Sequence, residues 1–177
     1  GTLALTGTLA QAEAPKKTLR YAFRVAETGF DPARINDLYS RTITPHIFES
    51  LVTYDHLARP AKLKPLTAVE LPTPNADFTV WTARIRPGIY FSADPAFKGQ
   101  KRELVAADYA YALRRFADPL IPSPGWTSVE SWGIQGLKAL REQAQKAKRG
   151  LDYERPIPGL QVLDRYTLRI TLTEPDL

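Results

Sequence analysis

Two histidines, His46 and His56, are the residues of this sequence best suited to acid–base or metal chemistry. They stand ten positions apart and form no HExxH or comparable ligand spacing, so we interpret each as a surface or capping residue. The sequence has no cysteine, which excludes a thiol nucleophile and a cysteine-ligated zinc ion. Carboxylates are plentiful, but no pair of them lies in a context that would separate two pKa values for acid–base catalysis.

The sequence motifs that position nucleophiles and phosphates are absent as well. There is no G-x-S-x-G nucleophile elbow, no phosphate-binding P-loop and no G-x-G-x-x-G dinucleotide motif. We therefore predict a protein that is not an enzyme and that needs no metal and no cofactor. An enzyme whose site is assembled from distant residues stays open as an alternative, and such a protein would show a cleft with perturbed carboxylates.

Charge is the second guide to function. The net charge is +5 and the isoelectric point is near 9.5, which is typical of a mildly basic surface or of affinity for nucleic acid or an anionic membrane. Lysines and arginines are spread along the chain among acidic residues, which favours the plain basic surface. The one cluster runs from Lys138 to Arg149, and a solvated helix face explains it. A nucleic-acid-binding or adaptor domain that uses this helix is the alternative function.

The elements that position these residues are predicted from hydrophobic periodicity. With 177 residues, 44% hydrophobic and 24% charged, the chain has the size and composition of one soluble domain or slightly more. Alternating apolar residues predict strands over residues 17–25, 78–86 and 166–173. The Pro87–Gly88 pair predicts a hairpin turn that leads into a further strand at residues 89–91.

Helical spacing predicts the remaining elements. Apolar residues four apart cover Tyr39 to Leu51, where Pro45 either kinks one helix or starts a second one. Similar stripes predict helices over residues 105–117 and 134–149, and Gly150 is a natural stop for the last one. The order strand, helix, strands, two helices, strand predicts an α+β or mixed α/β fold rather than a doubly wound sheet.

The two ends of the sequence differ from its body. Residues 1–14, GTLALTGTLAQAEA, combine a short apolar run with the small-x-small pattern of a signal-peptidase site. We interpret them as the remnant of a secretory signal peptide, with a disordered tail as the alternative. Export would then start the mature chain near Glu13. At the other end, residues 174–177 follow a strong strand without a closing element, which indicates a fragment of a longer protein.

Five segments of the sequence resemble, in order, motifs of the bacterial extracellular solute-binding proteins of family 5, the receptors of ABC transporters for oligopeptides, dipeptides and similar ligands. They are FDP at 30–32, IFESLVTYD at 47–55, FTVWTARIRPGIYF at 78–91, the DYAY-containing helix at 104–118, and LDRYTLRITLTEP at 163–175. Two segments depart from the family pattern. Residues 92–102 form a longer, more basic loop, and residues 66–71 lack the usual tryptophan. The ligand class (peptide, metal complex, haem, sugar or opine) therefore stays open.

The resemblance implies the N-terminal part of a periplasmic binding protein of type II-like architecture, with two lobes around a cleft and an accessory domain. It divides the chain into residues 15–46 as the first segment of lobe I, residues 47–160 as the accessory domain and residues 161–177 as the return strand into lobe I, with the second lobe absent. The implied function is capture of oligopeptides or similar small solutes in the periplasm and delivery to the permease subunits of an ABC importer. No nucleic acid is expected as a partner.

The resemblance also implies ligand contacts. In this family the loop after the first strand reaches the cleft, and this property carries over to four consecutive residues: Val25, Ala26, Glu27 and Thr28. Glu27 is predicted either to pair with a cationic group, such as a peptide amino terminus, or to be an exposed turn carboxylate. Trp126 follows the first accessory-domain helix and is the candidate aromatic wall of the cleft, with Trp132 behind it. Trp81 is predicted to be a core residue.

Overall fold

The computed structural model describes residues 17–176, so the expected signal remnant at residues 1–14 lies outside the described residues. The helices are α1 (Leu38–Ile43), α2 (Ala106–Ala117), α3 (Trp126–Ser131) and α4 (Leu137–Lys146). The strands are β1 (Val52–Tyr54), β2 (Leu63–Pro65), β3 (Thr73–Pro74), β4 (Val80–Arg84), β5 (Leu160–Asp164) and β6 (Thr167–Thr171). Short 3₁₀ turns occupy Thr44–His46 and Pro95–Phe97. Helices and strands are therefore mixed along the chain, as the periodicity predicted.

A four-stranded antiparallel sheet in the order β3–β4–β6–β5 forms the centre of the fold. β4 and β6 are the strands that alternation predicted, and they pair from Val80–Thr171 to Arg84–Thr167. β5 was not predicted because only Leu160 among its residues is buried, so the strand shows no clear alternation. Through β5 and β6, residues 160–171 are hydrogen-bonded into the same sheet as β4. The assignment of residues 161–177 to a particular lobe stays a prediction.

Helix α2 connects this sheet to the other helices, since it packs against β5 and β6 and also against α3 and α4. Its N-terminus is fixed by Asp108, whose carboxylate accepts a hydrogen bond from the backbone N–H of Val105 at 2.9 Å. Leu168 of β6 is fully buried against Ala106 and Ala110 of this helix. The helix predicted over residues 105–117 is therefore confirmed almost to the residue.

The last predicted helix is confirmed but starts later than expected. α4 begins at Leu137 because Ile134 pairs with Leu172 as an isolated bridge, and Gly136 then turns the chain with φ +80°. Only glycine adopts that backbone conformation without a Cβ penalty. Helix α3 was missed because six residues are too short to show a helical period. Between β5, β6 and these helices lies the larger core cluster, which includes Leu137 and Leu140.

The strand predicted over residues 17–25 is wrong. These residues have no strand partner in the described range, and the side chains of Leu19 and Tyr21 are 90% and 76% exposed. A strand is stable only beside a neighbour that satisfies its backbone groups and covers one of its faces. The alternating pattern shows that this segment could form a strand, but a strand also needs a neighbouring strand to pair with, and the pattern does not predict one.

The predicted hairpin at Pro87–Gly88 is also wrong. Residues 89–91 do not fold back on β4. Instead the N–H of Phe91 donates to the carbonyl of Arg102 at 2.9 Å, and the N–H of Leu104 donates to the carbonyl of Ile89 at 2.8 Å. After the turn, residues 89–91 therefore pair with residues 102–104, which follow the next loop. The Pro–Gly signal predicts a turn but does not specify which segment the chain pairs with afterwards.

The helix predicted from Tyr39 to Leu51 is only partly present, since residues 47–51 are not helical. α1 ends at Ile43, and Pro45 lies inside a new 3₁₀ turn, Thr44–His46. Proline has no N–H to donate and a fixed φ, so it is accommodated in a first turn and not in a helix interior. In the part of the chain that the structure describes, no helix has both the length and the apolar character needed to cross a bilayer.

Candidate ligand-binding site

The loop predicted to contact ligand, residues 25–28, is exposed and is held at its C-terminal end by α1. Ser40 is fully buried, and its Oγ accepts hydrogen bonds from the backbone N–H groups of Thr28 at 2.9 Å and Gly29 at 3.4 Å. The hydroxyl of Thr28 donates to Asp37 Oδ2 at 2.5 Å. A buried acceptor that binds two consecutive N–H groups fixes the backbone at this point. The loop is therefore presented in one conformation at its Thr28 end.

Asp37 has two functions in this anchor. It is the N-cap of α1, and its Oδ1 accepts from the N–H of Ser40 at 2.8 Å. Hydrogen bonds from Ser40 and from the hydroxyl of Thr28 hold the pKa of the Asp37 carboxyl well below its ordinary value. The group is therefore ionised at neutral pH, so it acts only as an acceptor and orients both donors.

A second anchor ties the same segment to the body of the fold. Asp31, in the turn that follows residues 25–28, binds Arg115 of α2 in a bidentate pair with distances of 2.7 and 2.6 Å. Both side chains are partly buried, with exposed fractions of 31% and 26%. The Arg115 guanidinium, through these hydrogen bonds, lowers the pKa of the Asp31 carboxyl despite partial desolvation. The first segment is therefore clamped to α2 across 84 positions of sequence.

We expect Asp31→Asn to lower the free energy of unfolding by about 1 kcal/mol at pH 7. The folded pKa of Asp31 is below its unfolded value, so the stabilisation is fully present above about pH 4 and is lost as the pH falls toward the lowered pKa. Urea unfolding at pH 7 and at pH 3 should therefore show a difference between wild type and variant that shrinks with acid. If the difference in the free energy of unfolding stayed constant or grew as the pH fell, the Asp31–Arg115 pair would not be the source of the stabilisation.

The matched control for that experiment is the exposed pair of Lys138 and Glu130, whose charged atoms lie 2.9 Å apart. Lys138 is 66% exposed, so water screens the interaction, and we expect Glu130→Gln to change stability by less than about 0.5 kcal/mol. The two variants remove the same charge. The comparison therefore separates the effect of a clamped, bidentate pair from that of surface charge.

Within residues 25–28, Glu27 is the one side chain that carries charge. Val25, Ala26 and Glu27 are all exposed, and among the described residues the Glu27 carboxylate has no hydrogen-bond or ion-pair partner. An exposed carboxylate on a fixed backbone is compatible with both interpretations given above, a ligand contact and a turn residue. The structure shows that the carboxylate is accessible and that its loop is anchored on the C-terminal side.

Trp126 lies in a different place, at the start of α3. Its ring is half-buried against the larger core cluster, and the Arg141 guanidinium lies 4.8 Å from the ring centroid. The ring also lines an open cavity of about 390 Å³, to which Glu130 and Lys138 contribute their charged side chains. A hydrogen bond from Lys138 to Glu130 raises the pKa of the Lys138 ammonium. Trp126 is thus a wall residue of a small cavity that carries charge of both signs.

No hydrogen bond or ring contact within residues 17–176 joins Trp126 to residues 25–28. Among the described residues, α2 contacts the neighbours of both groups. Arg115 holds Asp31, and the next residue, Phe116, lies so close to Gly125 that an added Cβ would come within 2.8 Å of its ring. The helix therefore sets the position of both groups without bringing them into contact.

The burial of the other two tryptophans agrees only in part with the predicted positions. Trp81 of β4 is half-buried and packs against the larger core cluster, and its indole N–H donates to the carbonyl of Phe78 at 3.3 Å. Its predicted core position therefore applies to one side of the ring only. Trp132 caps α3 and is 47% exposed. It lies on the surface of the helical part of the fold.

A buried polar centre at Asp118 was missed by the sequence analysis. Its Oδ1 accepts from the N–H groups of Leu120 at 2.9 Å and Leu151 at 3.2 Å, and its Oδ2 accepts from the hydroxyl of Tyr153 at 2.8 Å. Arg114 donates to the carbonyl of Tyr153 beside it. Burial, followed by the hydrogen bond to Asp118, raises the pKa of Tyr153 well above its ordinary value. The centre fixes the end of α2 to the connection between α4 and β5.

In the described part of the chain, no group of three or more His, Asp or Glu side chains is arranged to hold a metal ion. The structure thus forms three polar features: the anchors of the loop at residues 25–28, the charged cavity beside Trp126, and the buried polar centre at Asp118. Among them, exposed loop atoms on a fixed support suit the binding of a ligand from one side.

Solved structures of peptide-binding proteins share this fold at 22–23% identity. The chain matches Haemophilus influenzae OppA in complex with the peptide RPPGFSPFR with a TM-score of 0.65 at 22% identity, covering 85% of this chain and 26% of that one. It matches the Escherichia coli murein tripeptide binding protein MppA with a TM-score of 0.62 at 23% identity, covering 85% and 26%. The fold is that of the N-terminal part of two-lobed periplasmic peptide-binding proteins, which confirms the predicted fold class.

Sequence comparison then identifies the family. Residues 62–177 match the model of the bacterial extracellular solute-binding proteins, family 5 Middle. The chain belongs to the family 5 extracellular solute-binding proteins, as its motifs indicated. It is 26% identical over 147 residues to the periplasmic oligopeptide-binding protein OppA of Escherichia coli K12, covering 82% of this chain and 23% of the relative. It is 31% identical over 116 residues to the di/tripeptide-binding protein 2 of Pseudomonas aeruginosa, covering 64% and 21%.

The chain spans less than a quarter of the length of these two curated relatives. Both relatives are named as peptide-binding proteins, and the family consists of solute-binding proteins rather than enzymes.

Proposed function

We propose that this chain forms one wall of the ligand cleft in a periplasmic receptor that delivers peptides to the permease subunits of an ABC importer. The observation that carries the proposal is the exposed loop of residues 25–28, which Ser40 anchors on one side and the Asp31–Arg115 pair clamps to α2. The named ligands of the relatives, oligopeptides and di- or tripeptides, support peptides as the substrate class.

Two-sided burial is the physical basis of the proposed mechanism. A peptide between two lobes loses most of its hydration, so its main-chain polar groups need partners from the protein or from ordered water. An extended main chain can pair with backbone groups while its side chains occupy roomy pockets. Closure of the lobes then favours the state that the permease binds. The second lobe of the same receptor is therefore the proposed partner of this chain.

Within this proposal the division of the chain stays as predicted. Residues 15–46 belong to the first lobe, residues 47–160 form the accessory domain and residues 161–177 return to the first lobe. The Asp31–Arg115 pair holds the first segment against the accessory domain. Glu27 is the proposed partner of the peptide amino terminus, and Trp126 is the proposed aromatic wall.

The test is peptide affinity of the whole receptor, measured by calorimetry with a pool of tri- to pentapeptides. We expect Glu27→Gln to weaken binding of peptides with a free amino terminus by roughly 10- to 100-fold, since a charge-assisted hydrogen bond contributes roughly 1.5–3 kcal/mol. The same variant should not change the affinity for N-acetylated peptides, which carry no ammonium group. Equal losses for both pools, or no loss for either, would remove Glu27 from the site.

A matched control is Glu70→Gln, which removes the same charge at another exposed position. We expect it to leave both affinities unchanged. The isolated chain of 177 residues should bind the pool more weakly than micromolar, because half of the proposed cleft wall is not part of it. Micromolar or tighter binding by this chain alone would show that the second lobe is dispensable.

The alternative function, nucleic-acid binding through residues 138–149, lacks a supporting observation. Two of the five basic residues in that segment are engaged elsewhere: Lys138 with Glu130, and Arg141 with Trp126 and the carbonyl of Ala117. Steeply salt-dependent retention on DNA would be the sign of that function.

A further inference from the structure

The longer, basic segment noted in the sequence is a well-fixed surface loop. We call residues 92–102 the basic loop. The carbonyl of Arg102 accepts from the N–H of Phe91, so the chain closes on itself at the base of the loop. At its start, Asp94 Oδ1 accepts from the N–H of Ala96 at 2.8 Å and caps the turn Pro95–Phe97. Its side chains are therefore displayed on a fixed backbone.

The cations of this loop differ in whether a carboxylate already binds them. A cavity of about 340 Å³ is lined by Ala96, Phe97, Lys98, Gln100, Lys101 and Arg102, so three cations and no carboxylate line it. Arg102 is held by Asp108 in a bidentate contact. Lys98 and Lys101 make no ion pair with any carboxylate among residues 17–176. Two lysines therefore supply uncompensated positive charge at one point of the surface.

Of the carboxylates near these lysines, Asp108 binds Arg102 and Glu103 binds Arg165. Asp94 accepts a hydrogen bond from the neutral N–H of Ala96 and forms no ion pair with either lysine among the described residues. Glu103 accepts from Arg165 at 2.8 Å, from the hydroxyl of Tyr166 at 3.0 Å and from the N–H of Gly88 at 2.8 Å. The hydrogen bond from Arg165, followed by that from Gly88, lowers the pKa of the Glu103 carboxyl, so this residue stays ionised and bound to them.

Aromatic side chains lie beside the basic loop, and the Arg102 guanidinium lies 4.6 Å from the Phe91 ring centroid. Tyr90 and Phe91 are 52% and 42% exposed, and the Phe97 ring lies 6.3 Å from that of Phe91. The Lys101 ammonium lies 5.8 Å from the Tyr90 ring centroid. Exposed aromatic rings beside lysines are the combination that binds at the boundary between lipid headgroups and acyl chains. A free phosphate would use the lysines but would have no use for the rings.

We propose that the basic loop and its flanking aromatic residues bind the anionic phospholipid surface of a membrane. The lysines would bind lipid phosphates, and the Tyr90 and Phe91 rings would enter the headgroup region. This surface does not include residues 25–28 or Trp126, so the proposal is independent of how the cleft binds its ligand. Its effect would be to concentrate a solute-binding protein at the membrane where its solute must be delivered.

The experiment is co-sedimentation of the protein with two kinds of vesicle. One kind consists of phosphatidylcholine alone, and the other also contains roughly 30–40% phosphatidylglycerol, which gives the vesicle a negative surface potential. We expect binding to the anionic vesicles only, weakened by 0.5 M salt. The variant Lys98→Asn/Lys101→Gln should lower the partition coefficient about 30-fold, from roughly five-fold for each cation. Asparagine is chosen at position 98 because it tolerates the left-handed backbone there, with φ +50°.

The matched control is Lys62→Asn/Lys64→Gln, which removes the same charge from exposed positions at and beside β2. We expect it to leave vesicle binding within about two-fold of wild type, as it touches net charge only. A second variant, Tyr90→Ser, should lower partition without changing the salt dependence. Equal losses in both lysine variants, binding to inorganic phosphate without vesicle binding, or no sedimentation with anionic vesicles would each overturn the proposal.

Discussion

Gly159→Ala is expected to lower the free energy of unfolding by about 3 kcal/mol or more, with a fall in melting temperature of roughly 10 °C. A Cβ at this position would lie 2.4 Å from the backbone oxygen and 2.5 Å from the backbone nitrogen of Gln135. Backbone atoms cannot rotate away as a side chain can. The contact would also pull apart two hydrogen bonds, Gly159 N–H to Gln135 at 2.9 Å and Thr171 N–H to Gly159 at 3.1 Å.

Position 159 is where the approach to α4 meets the end of β6, so the damage should spread to both. Circular dichroism melts of Gly159→Ala and of Gly29→Ala would measure the effect. Gly29 is the control because its nearest neighbour for a new Cβ is 3.9 Å away, an ordinary contact. Similar melting temperatures for the two variants would contradict the close approach at Gly159.

The second large effect is expected at Asp118. Asp118→Ala leaves the N–H of buried Leu151 and the hydroxyl of Tyr153 without their acceptor. Unsatisfied buried donors cost about 1–3 kcal/mol each, so we expect a loss of about 3 kcal/mol in the free energy of unfolding. Guanidinium unfolding followed by tryptophan fluorescence would measure it, since Trp126 packs on the same core cluster.

Two comparisons make that experiment decisive. Asp152→Ala removes a carboxylate that accepts from the N–H groups of Glu154 and Arg155 at 3.2 Å on the surface, and it should cost less than about 1 kcal/mol. Asp118→Ala combined with Tyr153→Phe should cost less than the sum of the two single changes, because they share one hydrogen bond. Additive losses would show that Asp118 does not act through Tyr153.

The fold elements that the sequence predicted are those whose burial has a clear period. The most buried residues of β4 and β6, such as Ala83 and Leu168, lie on the faces that the apolar pattern marked, and the buried residues of α2, such as Ala110, lie beside its apolar stripe. Elements without such a face were missed, as with β5, or misplaced, as with residues 89–91. The segment 17–25 shows the converse case, since its pattern is clear but no described neighbour pairs with it.

The anchors of the candidate site were harder to predict than the fold. The FDP motif marked Asp31 as a turn residue, but its pairing with Arg115 depends on tertiary structure across 84 positions. Ser40 is a small polar residue inside a helix, and its role as acceptor for the N–H groups of Thr28 and Gly29 depends on a tertiary contact that the sequence does not show. The residues 25–28 and Trp126 came from family resemblance, and their contacts with a ligand stay predictions. Side-chain chemistry alone supplied only the prediction that the chain is not an enzyme, and this stays a prediction.

The most direct test of the whole account is native mass spectrometry of the complete protein purified from its host. We expect a population whose excess mass is released by mild activation and consists of short peptides with free amino termini. Glu27→Gln should reduce that population, while Lys98→Asn/Lys101→Gln should leave it intact. A protein that carries no such ligand, and that neither gains mass from an added peptide pool nor changes with Glu27, would contradict a peptide receptor.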